Sequence, residues 1–149
     1  MAGSIFEGGQ TMKTILVGGC FDFIHFGHVK FLGEAKKHGD KLVVMLESDE
    51  TIKRLKGDDR PYHTQEQRKI MLESLRMVDE VILLSPHMTD ADYLETIKKI
   101  KPDSIALTEG DPILEKKLKQ TETVGASAVV IPKVLTHSTS SLAKLLKLE

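Results

Sequence analysis

The sequence predicts an α/β domain built on an open, doubly wound parallel sheet of five strands. Three observations carry that expectation. Short apolar, β-rich runs alternate with helical patterns from residue 14 to the C-terminus. The runs are apolar throughout rather than at every second residue, as in strands covered on both faces. The helical stretches between them are about 10–12 residues long, which suits crossovers between parallel strands.

Taken in order, Thr14 to Val17 reads as a short buried strand that ends in Gly18-Gly19. Gly27 to about His38 reads as a helix with Phe31, Leu32 and Ala35 on one face and Gly39 as its stop. Leu42 to Leu46 is the second strand, and Ser48 caps a helix whose first turn carries Asp49 and Glu50. After a polar stretch from Lys56 to His63, Thr64 and Gln67 form a capping box ahead of Met71, Leu75 and Val78. Glu80 to Leu84 is strand three. Thr89 or Asp90 opens a helix that buries Tyr93, Leu94, Ile97 and Ile100 and closes at Lys101-Pro102. Ser104 to Leu107, Ile113 to Gln120 and Ala128 to Ile131 follow as strand, helix and strand, and Ser140 to Leu148 as a short amphipathic helix.

With 149 residues the chain fits one domain with a core of its own. A net charge of −1 gives no global field for nucleic acid or an anionic membrane, so any anion site must be local. No apolar run approaches the roughly 18 residues of a membrane span. The lone Cys20 rules out an internal disulfide and a cysteine-rich zinc site. Residues 1–11 read as a polar leader, either a remnant ahead of a natural start at Met12 or a disordered end; they carry no secretory pattern, and the expected compartment is the cytoplasm.

Ligands of an open parallel sheet bind outside the carboxyl ends of its strands, so the loops there carry the functional reading. Gly18 to His28 reads GGCFDFIHFGH. The glycine pair permits a tight turn and a close backbone approach. His25 and His28 fall at the start of a helix, where free N–H groups and the dipole already favour an anion. Two imidazoles there suit phosphoryl transfer, which needs electrostatic positioning more than covalent help. Two other readings stay open. A histidine at a helix start is also an ordinary cap, and a pair one turn apart is also a partial zinc site, with Asp22 the one further ligand nearby.

These residues resemble the G-x-F-D-x-x-H-x-G-H signature of the cytidylyltransferase-like nucleotidyltransferase family. Gly19, Cys20, Phe21, Asp22 and Gly27 fall within that signature along with the histidines. The resemblance implies a Rossmann-like fold over residues 12–149. It assigns His25 and His28 to the triphosphate and the transition state at the α-phosphorus, with Phe21 and Asp22 shaping the loop and Asp22 near the phosphates.

Three later stretches extend the resemblance. Lys53 to Lys69 is a basic loop running into a capped helix, and Arg68 near that helix start is either a solvated surface cation or one held for an anion. The family directs a loop lysine and an E-x-R at the phosphates, positions matched by Lys56 and by Glu66-Gln67-Arg68; Lys53, Arg54 and Arg60 stand close by. Thr108 to Asp111 follows strand four, where Gly110 permits close approach and Asp111 is placed for a ribose hydroxyl or a base amino group; Glu109 departs from a more usual glycine. His137 to Lys147 carries cap-type hydroxyls ahead of a helix, and Ser138, Thr139 and Ser140 match hydroxyls that the family sets against the triphosphate. Lys133 replaces a frequent arginine, which keeps charge but loses bidentate geometry, and Thr136 replaces a frequent glycine.

The activity so implied is transfer of a nucleoside monophosphate from a nucleoside triphosphate to a phosphorylated acceptor, with release of pyrophosphate. Mg²⁺ is expected as cofactor, bound through the substrate phosphates without protein ligands of its own. The phosphate nucleophile is already ionised and needs no side-chain base. Pro61 to Ile82 and Lys133 resemble members that make CDP-glycerol, whereas Ser48 to Tyr62 resembles the branch that makes ADP-heptose. The leading expectation is CMP transfer from CTP to a small phosphorylated polyol or sugar. Adenylyl transfer from ATP to heptose 1-phosphate or FMN is the alternative, and a non-catalytic nucleotide-binding module is an alternative of another class. Family members of this size imply a homodimer.

Overall fold

The computed structural model describes residues 11–135 and 138–146. The expected leader, except Thr11, and the positions Thr136, His137, Lys147 and Leu148 lie outside the described residues. Five strands form one all-parallel sheet: β1 (Thr14–Gly19), β2 (Lys41–Leu46), β3 (Glu80–Leu83), β4 (Ser104–Thr108) and β5 (Ser127–Ile131), in the spatial order β3-β2-β1-β4-β5. Six helices connect or follow them: α1 (Phe26–Lys36), α2 (Asp49–Lys56), α3 (Gln65–Glu73), α4 (Asp90–Ile100), α5 (Leu114–Thr123) and α6 (Thr139–Leu145). The expected fold class is the observed one.

Strand alternation splits the core into two layers. Ile15 and Val17 of β1 face one way, with Leu42, Val44 and Leu46 of β2, and meet Leu32, Ala35 and Leu72 of the helices on that side. Leu16, Val43 and Met45 face the other way, with Ile105 and Leu107 of β4, and meet Ile97 of α4. Burial on both faces holds for the centre of the sheet but not for its edges: Leu83 of β3 and Val130 of β5 are exposed. Edge strands have a neighbour on one side only, so their apolar runs outlast their cover.

The caps follow the side-chain chemistry. Thr64 accepts the Gln67 N–H at 3.2 Å while Gln67 Oε1 accepts the Thr64 N–H at 3.0 Å, and Thr89 and Asp92 form the same reciprocal pair at α4. Lys101, left-handed at φ 55°, ends α4 just before Pro102. Helix α1 ends at Lys36, short of the expected stop. Gly39 serves packing instead: a Cβ there would come within 2.1 Å of Ile15 Cδ1 and 2.9 Å of the Lys13 carbonyl oxygen. The return into β2 therefore runs directly against β1.

The order reverses at β1, which pairs with β2 on one side and β4 on the other. Crossovers leave that point on opposite faces, so a crevice opens above the carboxyl ends of β1 and β4.

Candidate active site

A cavity of about 760 Å³ occupies that crevice, a volume suited to a small-molecule ligand. Gly18 and Gly19 of β1 form part of its floor, and the missing Cβ of Gly19 is filled by protein: one placed there would lie 2.9 Å from the Phe21 ring. Phe21, at φ 48°, tucks this ring edge-on to His28, with centroids 5.2 Å apart. The first glycine of the motif is thus spaced for its phenylalanine.

His25 and His28 build the start of α1 with their own rings. His25 is extended (φ −133°, ψ 179°), and its Nδ1 accepts the Gly27 N–H at 3.0 Å. His28 Nδ1 accepts the His25 N–H at 3.2 Å, and the two rings stack at 3.9 Å between centroids. With each Nδ1 acting as acceptor, each neutral ring carries its proton on Nε2. Both histidines cap the helix and also line the cavity, so the capping reading leaves them open to the cavity. The zinc reading finds no ligand set: among the described residues no group of three or more His, Cys, Asp or Glu is placed to hold a metal.

Electrostatics keeps the pair uncharged. Burial, then repulsion from His25 and Lys56, lowers the His28 pKa to about 4, against an opposing pull from Asp22. Burial lowers that of His25 as well. Cys20, also in the lining, is pushed up by burial and is held as a thiol.

Arg68 differs from the phosphate contact expected of it. It is fully buried, and its guanidinium is spent on protein: Nε donates to the His63 carbonyl, Nη1 to those of Cys20 (2.8 Å) and Glu47 (2.9 Å), and Nη2 to Asp49 Oδ1 (2.7 Å). It is a strut that joins the end of β1, the end of β2 and the start of α3. Asp22, expected near the phosphates, is 2 % exposed and closes a second strut. Its carboxylate accepts from Arg60 Nε (3.1 Å), Tyr62 N (2.8 Å) and His63 N (2.9 Å). Arg60 also donates to the Asp22 carbonyl and reaches Ser140 Oγ at 3.4 Å. Asp22 thus ties the loop to the α2–α3 connection, and neither Asp22 nor Arg68 lines the cavity.

The remaining residues divide. Lys133 and Ser138 line the cavity, and Ser138 caps α6 by accepting the Ser141 N–H. Thr139 turns inward, donating to the Phe23 carbonyl at 2.8 Å, so that α6 is tied to the histidine loop. Lys56 ends α2 in an exposed position outside the lining, within electrostatic range of His28. Gly110 makes a left-handed turn at φ 82°, and Asp111 beyond it lines the cavity. Burial works to raise the Asp111 carboxyl, but hydrogen bonds from Lys117 and the Ile113 N–H outweigh it and hold it low. Sequence reasoning passed over Glu47 and Lys117 in the lining and read Ser141 only as a cap-type residue; Tyr93 packs against the core as expected and also reaches the lining. Glu47 follows a strand directly, which was the available signal.

The family model for cytidylyltransferase-like proteins matches residues 16–140. The chain belongs to the cytidylyltransferase-like nucleotidyltransferase family. Within it, the chain is 44% identical over 117 residues to the bifunctional protein HldE of Campylobacter fetus subsp. fetus, covering 78% of this chain and 24% of that protein. It is 38% identical over 130 residues to the bifunctional protein HldE of Helicobacter hepaticus, covering 87% of this chain and 26% of that protein. The chain thus spans about a quarter of the length of these curated relatives. Among solved structures, the lipopolysaccharide core biosynthesis protein of Thermoplasma volcanium GSS1 aligns with a TM-score of 0.66 at 27% identity, over 85% of this chain and 99% of that one. Pantoate-beta-alanine ligase of Francisella tularensis, at a TM-score of 0.59 and 17% identity over 92% of this chain and 63% of that one, shares the fold. Among the described residues of this cytidylyltransferase-like chain, no helix is long and apolar enough to cross a membrane.

Two outcomes follow from the buried groups. Arg68→Met leaves Asp49 and three carbonyls without their donor, and urea unfolding is expected to show a loss of roughly 3–5 kcal/mol. An unchanged midpoint would free Arg68 for a purely ligand-facing role. For His28, the unfolded imidazole takes up a proton as pH falls through its ordinary value of 6.5, while the folded one waits until about 4. Its contribution to stability is therefore whole above pH 6.5, and about 3 kcal/mol is lost between 6.5 and 4. Urea midpoints at successive pH values should decline across that window, and His28→Asn should shrink the slope above pH 5 to the share that His25 contributes.

Proposed function

We propose that this cytidylyltransferase-like chain transfers AMP from ATP to the phosphate of a phosphorylated sugar, releasing pyrophosphate. The observation that carries nucleotidyl transfer is the stacked, neutral His25–His28 pair at the start of α1, with both Nδ1 atoms bound to backbone and both rings in the wall of the cavity. Each ring then has an Nε2–H to give to a triphosphate oxygen, held in place before the ligand arrives. Ser138 at the cap of α6 and Lys133 stand in the same wall and complete an anion cradle. The acceptor's phosphate oxygen forms a bond to the α-phosphorus as the bond from that phosphorus to the pyrophosphate oxygen breaks. The attacking oxygen carries no proton to remove. The histidines follow the charge that develops on the leaving phosphates. Mg²⁺ would be held by the triphosphate's own oxygens and would neutralise charge there; of the carboxylates in the described lining, Asp111 is paired with Lys117 and Glu47 accepts only the Tyr93 hydroxyl.

ATP and a sugar acceptor are favoured by the resemblance of Ser48 to Tyr62 to the branch that makes ADP-heptose, and by the HldE similarity. The similarity to a lipopolysaccharide core biosynthesis protein fits a sugar acceptor. CTP with a polyol phosphate is the second reading, favoured by the Pro61 to Ile82 stretch.

Thermal melts with ATP, CTP, GTP and UTP, each with Mg²⁺, test the nucleotide. A triphosphate at 100 times its Kd adds about 2.7 kcal/mol, a shift of several degrees in a domain of this size. ATP is expected to give the largest shift, and His25→Ala and His28→Ala to shrink it. A larger shift with CTP would put the cytidylyl reading first. No shift with any of the four would overturn triphosphate binding.

A further inference from the structure

Glu47 sits in the cavity wall on the side opposite the cover of α1, at the first residue beyond β2. Its backbone is pinned at both ends, with its N–H donating to the Gly19 carbonyl at 3.1 Å and its carbonyl accepting from Arg68 at 2.9 Å. Its side chain meets Tyr93, in the first turn of α4, whose hydroxyl lies 2.9 and 3.0 Å from the two carboxylate oxygens. One phenolic proton is shared between oxygens that together offer about four acceptor sites. Among the described residues Glu47 makes no ion pair, whereas Asp111, the other carboxylate of the described lining, is bound to Lys117. Glu47 is a fixed, half-buried carboxylate with acceptor capacity left over and a cavity in front of it.

Such a wall repels phosphate and attracts hydroxyl donors. We propose that Glu47, seconded by Tyr93, is the specificity-determining residue for the acceptor, binding two adjacent hydroxyls of its sugar body. This rests on the nucleotidyl-transfer reading above and deepens it. The two carboxylate oxygens match the two O–H groups of a vicinal diol. The Tyr93 hydroxyl, bound to the same carboxylate, offers its own oxygen to a neighbouring donor. The negative charge also sets direction: with the hydroxyls on Glu47, the acceptor's phosphate end is turned away, toward the histidines. A flat or apolar acceptor would leave this carboxylate buried without donors, which selects against it.

Calorimetric titration tests the assignment without relying on turnover. The probes are mannose 1-phosphate and its analogues lacking one hydroxyl each, added to the protein saturated with Mg²⁺ and a non-hydrolysable ATP analogue. The wild type is expected to bind two of these analogues, with adjacent hydroxyls missing, at least tenfold more weakly than the parent. Glu47→Gln should lose that discrimination while its affinity for the ATP analogue stays within twofold, and Tyr93→Phe should weaken it in part. Equal binding of all analogues by the wild type, no binding of the parent sugar, or a preference that survives Glu47→Gln would each overturn the assignment. Failure of nucleotidyl transfer itself would appear separately, as an absence of triphosphate binding.

Discussion

The Arg68 guanidinium carries a full positive charge at a point with no solvent exposure, and three strand-end or loop carbonyls and a carboxylate converge on it. Cys20 lies at the exit of β1 and Glu47 at the exit of β2, so one side chain fixes the separation of the two loops that floor the cavity. Such a charge is stable inside only while every donor is matched, which makes the arrangement cooperative: partial loss costs far more than any one hydrogen bond contributes. The Asp22–Arg60 pair repeats the device, joining the histidine loop to the α2–α3 connection and, through Ser140 and Thr139, to α6. Loops that hydrophobic burial alone would leave loose are held by these two buried arginines, one paired with the buried Asp22 and the other with the more exposed Asp49.

That framework also holds the uncharged histidines in place for the polyanion proposed as their ligand. The first two backbone N–H groups of interest at α1 are satisfied by His25 and His28 themselves, which commits each Nδ1 and presents each Nε2 as donor. Burial and the stacked neighbour then oppose protonation of His28, so the pair does not accumulate two adjacent positive charges. A triphosphate bound as proposed would change that balance in its own favour, since its negative charge would raise the affinity of both rings for protons. The two rings are thus fixed by the chain's own hydrogen bonds, and on the proposed reading they would gain charge only when a ligand supplied the counter-charge.

Much of this was legible in the sequence, for reasons that differ by element. The parallel fold followed from uniformly apolar β1, β2 and β4 runs, and the α3 cap from the local pair Thr64–Gln67, where the physics lies within four residues; at α4 the sequence left Thr89 and Asp90 open, and the structure chooses Thr89. The histidine loop was readable because its residues are adjacent in sequence. Arg68 was misread because its partners come from three separate segments, and a lone arginine near a helix start looks the same whether it faces a ligand or the interior. Tyr93 was assigned to the core by helical spacing, which places a ring on a face but does not say where its hydroxyl ends. Glu47 drew no attention because a single acidic residue after a strand gains meaning only when α4 brings a phenol to it.

The central claim is nucleotidyl transfer at this cavity, and ³¹P NMR of the protein with Mg²⁺, ATP and a sugar 1-phosphate tests it most directly. Equal growth of pyrophosphate and of a new unsymmetrical diphosphate ester, both absent with His28→Ala, is the predicted result. Orthophosphate and ADP as products, or no reaction with any of the four triphosphates across a panel of sugar and polyol phosphates, would contradict it.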